Sequence, residues 1–165
     1  MALIDLQLRK VKGTIRSFLI MFVISLSFGY ASGLYYISIS SGFTGKSVEE
    51  NYLGNEDDEE AGTMKFKMKE KEVLSIIHSH VISFALIFLA LGFLLFHSSF
   101  STKLISFLSI EPFISLLFSF GGIWLMWKGI DWMKYIVIIS GSLMHLVFLT
   151  SILLILIDLL AKRRV

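Results

Sequence analysis

At 165 residues the chain has room for one domain, yet 55% of it is hydrophobic, 17% is charged and its mean hydropathy is +0.77. A water-soluble globule of this size cannot hide so much apolar surface, and the formal net charge of +2 gives no polyanion-binding signature. The absence of cysteine excludes thiol nucleophiles, disulfide exchange and thiolate metal sites, and too little sequence lies outside the apolar runs for a second catalytic domain.

Those runs reach about twenty residues with almost no charge, the length needed to cross about 30 Å of hydrocarbon. The first span is predicted over 17–38, after a head in which Arg9, Lys10, Lys12 and Arg16 outweigh Asp5. Its apolar core is longer than the roughly 7–15 residues of a signal peptide, so it reads as a retained helix. Further spans are predicted over 73–96, 104–127 and 135–157, before the closing Lys162, Arg163 and Arg164. Four spans put both termini on one side, and the basic head and tail assign that side to the cytoplasm of a bacterial inner membrane. The connection 39–72, with nine acids against five lysines, is then outside. The expected fold is an all-α polytopic membrane protein, a four-transmembrane-helix bundle with a short extramembrane loop helix and a single domain over 1–165.

Within the connection, Ser47 to Glu50 reads as a capping box and Gly54 as a helix stop, giving a short helix that carries Val48, Tyr52 and Leu53 on the membrane surface. The acidic run 55–60 reads as a solvated turn, and Met64, Phe66 and Met68 alternate with lysines as a short strand or the frayed approach to the second span. Pro112 allows two starts for the third span. Either the helix begins near Glu111, with Glu111 in its first turn and 101–109 along the interface, or one helix from Lys103 kinks at the proline. Trp124, Trp127 and Trp132 mark the outer interface, and the short turn there makes spans three and four antiparallel neighbours. Gly29-x-x-x-Gly33 reads as a close-packing face, Tyr30, Tyr35 and Tyr36 as interface anchors, and Asp158 as snorkelling or paired with Lys162 at i, i+4.

Ionisable groups at membrane depth are costly and therefore functional candidates. His78 and His80 point about 200° apart on a helix, so one ion or cofactor can use only one of them there. The His78 side carries Ala85 and Gly92, which makes His78 the expected inward residue and turns His80 toward lipid or a partner. His145 lies near the middle of the fourth span. Two histidines on different helices suit heme b, with His78 or His80 on one side of the iron and His145 on the other, although helix rise separates them in depth by roughly one turn or more. The same residues, His78 and His145, are the metal-ligand candidates. Alternatively, His78, His80 and the outer acids form a zinc or copper site, or Glu111 serves proton uptake from the inner side.

With four spans and the histidines His78, His80 and His145 in place, the chain resembles the four-helix membrane cytochromes b. That resemblance implies heme held between spans and electron transfer to or from quinone, by an electron carrier or redox accessory subunit rather than a stand-alone enzyme. The nineteen residues from His78 to His97 depart from the two-heme pattern, so one heme at most is implied. Implied partners are the lipid bilayer, a quinone or respiratory-complex subunits and a second copy of the chain, with no nucleic acid. The alternatives are a cofactor-free structural or assembly subunit, whose histidines are packing donors, and a small transporter.

Overall fold

The structure of the protein is a computed structural model that describes residues 7–40, 42, 44–56, 58 and 62–161. Asp57, Glu59 and Glu60 of the acidic run and the closing Lys162, Arg163 and Arg164 lie outside the described residues. A 3-10 turn at Leu8–Lys10 leads into α1 (Gly13–Ser40), α2 (Gly45–Leu53), α3 (Glu70–Phe96), α4 (Thr102–Trp127) and α5 (Met133–Leu160). α1, α3, α4 and α5 are long and apolar enough to cross a membrane, and α2 is the short loop helix. The helices run past their predicted spans because hydropathy marks only the hydrocarbon crossing, whereas a hydrogen-bonded helix continues to its cap. The two ends of the bundle are called the loop end, where α2 lies, and the terminal end.

α4 and α5 form the tightest pair. Ile105, Leu108, Leu116, Ile123 and Met126 on α4 are buried with Val137, Met144, Val147, Ile155 and Leu159 on α5. Hydrocarbon offers helices no hydrophobic drive to associate, so close backbone approach and side-chain hydrogen bonds must hold them. Gly122 supplies the approach: a Cβ there would sit 2.9 Å from Val137 Cγ2. Ser119 Oγ and Ser140 Oγ supply the bond, at 2.8 Å. α3 completes the core with Val73, Phe88, Leu91 and Leu95, and its Gly92 faces the Ser109 side chain of α4.

α4 runs unbroken through Pro112, so the helix starting near Lys103 is the one observed. Residues on both sides of the proline, Leu108 and Leu116, are buried in the same core and hold the two halves in line. This corrects the expectation for Glu111, which lies inside the helix rather than in its first turn; residues 101–109 are likewise not an interfacial segment.

α1 packs chiefly on α5 and contributes one buried apolar residue, Val23, with Leu19, Leu26 and Tyr30 partly buried beside it. The Gly29–Gly33 face is not what holds it, since a Cβ at either glycine would meet nothing within 4 Å. Tyr30 is not an interface anchor either. Its ring stacks on Phe148 of α5 at 4.0 Å, while Tyr35 and Tyr36 remain exposed.

At the loop end, Thr44 rather than Ser47 caps α2: its Oγ1 accepts the Ser47 amide at 3.1 Å. α2 covers the ends of α4 and α5, with Val48 and Tyr52 against the core and Glu49 paired to Lys134 at 2.6 Å. The chain then returns along it. Asn55 and Lys65 exchange backbone and side-chain bonds, and the Met68 amide donates to Tyr52 O at 3.1 Å. Residues 64–69 form no strand: their partner is a helix end and its turn. Gly54 has φ +82°, and a Cβ would stand 2.7 Å from the Lys67 amide, so only glycine fits between the two passes. Trp127 ties this cap to the bundle by donating from Nε1 to Met68 O at 2.9 Å. It also stacks on Trp124, with the Lys128 ammonium over both rings.

Gly122→Leu is expected to destabilise the bundle by about 1–3 kcal/mol through overpacking at α5, whereas Gly29→Leu should change unfolding of the monomer by no more than about 0.5 kcal/mol. Thermal unfolding in detergent compares the two. The cap should also loosen in alkali. Burial raises the Tyr52 phenol, and the hydrogen bond and charge of Asp58, then Glu50, raise Lys46. Groups raised on folding bind more protons in the native state, so their contribution is complete below the ordinary values near about 10 and is lost as pH rises through the folded ones. Trp fluorescence should report the loss before the helical circular dichroism changes, and Tyr52→Phe should reduce it.

Candidate functional site

The histidines occupy three separate environments. On α3, His78 and His80 are both largely exposed, but it is His80 that leans on the bundle: its ring lies 6.0 Å from Phe84 and 5.6 Å from Phe120 of α4. This corrects the expectation that His78 faces inward and His80 outward. His80 sits one turn from Phe84 and two from Phe88, on the large-residue ridge that builds the core. Gly92 does mark a close approach, but roughly 20 Å along the helix from His78. His80 Nδ1 donates to Ile76 O at 2.9 Å.

His145 is half-buried on the side of α5 that meets α1. Its Nδ1 donates to Gly141 O at 2.5 Å, and its ring stands 5.5 Å from that of Tyr30. The Tyr30 hydroxyl is buried with no hydrogen-bond partner among the described residues. His145 thus turns to α1 while His80 turns to α4. Where α3 meets α5, Phe88 packs edge-on against Phe148 at 6.3 Å. His80 and His145 therefore meet different neighbouring helices, with the Phe88–Phe148 contact between α3 and α5. His97 closes α3, its Nδ1 donating to Phe93 O at 2.8 Å and its carbonyl receiving the Leu8 amide at 2.8 Å. Among the described residues, no three of His, Cys, Asp and Glu come together as a metal site.

Glu111 and Asp158 are more deeply placed than any histidine. Glu111 is 7% exposed; Ser115 Oγ donates to its Oε1, and its Oε2 has no partner among the described residues. Asp158 is completely buried and fully bonded. Arg9 Nε donates to Oδ1 at 2.7 Å, Ser99 Oγ to the same atom at 2.7 Å, and the Ser99 amide to Oδ2 at 2.5 Å. Asp158 therefore does not snorkel to solvent: its partners are the head and the α3–α4 turn, which the i, i+4 rule could not suggest. Leu8, 2% exposed, packs into the core beside this node. Sequence reasoning missed Ser99 and Tyr30. The one available signal was arithmetic, since the sole acid of the last span faces an N-terminal head rich in unassigned cations.

Arg9→Ala is expected to cost about 3 kcal/mol or more, because it strands a buried carboxylate. Asp158→Asn should cost less, since the freed Arg9 is half in solvent and the amide still bonds Ser99. Adding Asp158→Asn to Arg9→Ala should restore most of the loss, as read by chemical denaturation in detergent.

No curated protein and no solved structure matches this chain. Residues 42–165, the stretch that carries α2 to α5, match the model of a family described as a transmembrane helical domain. With four membrane-length helices in its structure, the chain is an integral membrane protein and belongs to that transmembrane helical domain family.

Proposed function

We propose that the protein is a cofactor-free structural or assembly subunit of a membrane complex, with α2 to α5 as its body and α1 as the helix that meets a neighbour. The observation that carries this reading is the bareness of α1. Only 6% of its most apolar window is buried, against 28–50% for the other three spans, and the family match begins beyond it. Gly29 and Gly33 leave an open, closely approachable strip on its outer surface. The basic head that precedes α1 supports a cytoplasmic location for the terminal end in a bacterial inner membrane.

The second reading is one heme b and membrane electron transfer, with quinone as the redox partner. It is favoured by His145, whose Nδ1 bond to Gly141 O leaves Nε2 free to ligate, the arrangement that fixes imidazole ligands elsewhere. It requires the Phe88–Phe148 contact to open.

Mild detergent extraction separates the two. The structural reading expects a complex larger than the single chain, without a b-type band in the reduced-minus-oxidised spectrum, from which Gly33→Leu releases a folded monomer. A stoichiometric heme whose band disappears in His145→Ala, and in His80→Ala or His78→Ala, overturns it in favour of the second.

A further inference from the structure

We propose that Glu111 is the carboxylate of a monovalent-cation site inside the α4–α5 bundle, taking a proton or a sodium ion. Its place in the fold is unusual for a charged side chain. It is 7% exposed and lies roughly 5 Å from the middle of a membrane-length helix, toward the terminal end. Its Oε2 is buried without a partner among the described residues, and its Oε1 receives a hydroxyl bond from Ser115.

Among the described residues, no cation is bonded to it. The other titratable groups described on α4 and the elements around it are Lys103 on α4, Glu70, Lys71, Glu72, His78 and His80 on α3, Lys46, Glu49, Glu50 and Tyr52 on α2, and Lys134, Tyr135, His145 and Asp158 on α5. None is hydrogen-bonded to Glu111. Lys134 holds Glu49, Asp158 holds Arg9, and His145 is turned to Tyr30. A carboxylate withdrawn from water and left without a counter-charge is strongly disfavoured, so a bound cation completes the site.

The donor set suits a small hard cation, because it is made of oxygen alone. The donors are the two carboxyl oxygens and Ser115 Oγ. Pro112, the next residue, has no N–H, so the Leu108 carbonyl of the preceding turn lacks the helix amide it would otherwise receive. A route toward the loop end is built into the same face of α4. Glu111, Ser115 and Ser119 follow one another at intervals of four residues, about 6 Å apart, and Ser119 continues to Ser140 of α5. Ser109, on the opposite side against Gly92, is not part of it.

Dicyclohexylcarbodiimide tests the site, because it dissolves in apolar surroundings and adds to a protonated carboxyl. The carboxyl O–H adds across one C=N bond to give an O-acylisourea, which rearranges to a stable N-acylurea with no leaving group. Applied to the full chain in detergent at low sodium and mildly acidic pH, it should label Glu111, located by peptide mass spectrometry, and the label should vanish in Glu111→Gln. Labelling that sodium chloride suppresses, and potassium chloride at equal ionic strength does not, identifies sodium as the ligand. Labelling indifferent to sodium but lost as pH rises identifies the proton. An unlabelled Glu111, or a label indifferent to both sodium and pH, overturns the proposal. These dependences are read in the wild type, so they decide the matter even where Glu111→Gln fails to fold.

Discussion

A single buried carboxylate organises the terminal end of this bundle. Asp158 reaches no solvent, yet three donors from two distant parts of the chain converge on it. A buried charge is tolerable only when its lone pairs are filled, so the head, the α3–α4 turn and the last turn of α5 must occupy one arrangement together. The node therefore fixes the spacing of α3 and α5 and delivers Leu8 into the core. It also gives α1 a defined starting point, although α1 itself packs thinly.

The loop end is fastened differently. There the work is divided among many modest contacts: the Glu49–Lys134 pair, the Trp127–Met68 bond, the paired backbones at Asn55 and Lys65, and a glycine that lets two passes of chain touch. Between the ends, α4 and α5 are joined through a glycine and a pair of serines rather than through bulk. That is the expected solution where the solvent is as apolar as the side chains. Glu111 stands in this serine-marked face with one oxygen unsatisfied among the described residues, which separates it from the fully bonded Asp158.

The four spans and the antiparallel pairing of the last two were legible in the sequence because each depends on local composition and length. The described partners of Asp158 were not, since Arg9 is 149 residues away and Ser99 lies in another turn of the chain. Helical angles alone also misplaced the histidines. The choice of His78 as inward rested on the small residues Ala85 and Gly92, whereas the face of α3 was decided by where Phe84, Phe88 and Leu91 find their contacts. Gly29 and Gly33 stay outside the intrachain packing for the converse reason: small residues permit close packing, but α5 meets the ridge of Val23, Leu26 and Tyr30. Glu111 was legible as a candidate and misread in depth, because a proline tolerated inside a helix looks in sequence like one that begins it.

The separation between Arg9 and Asp158 bears on how the protein is made. A ribosome delivers Arg9 149 residues before Asp158, so the node cannot close until all four membrane-length helices have been synthesised. Until then α1 is a helix waiting in the bilayer, and the arrival of α5 is what brings it into register with the rest.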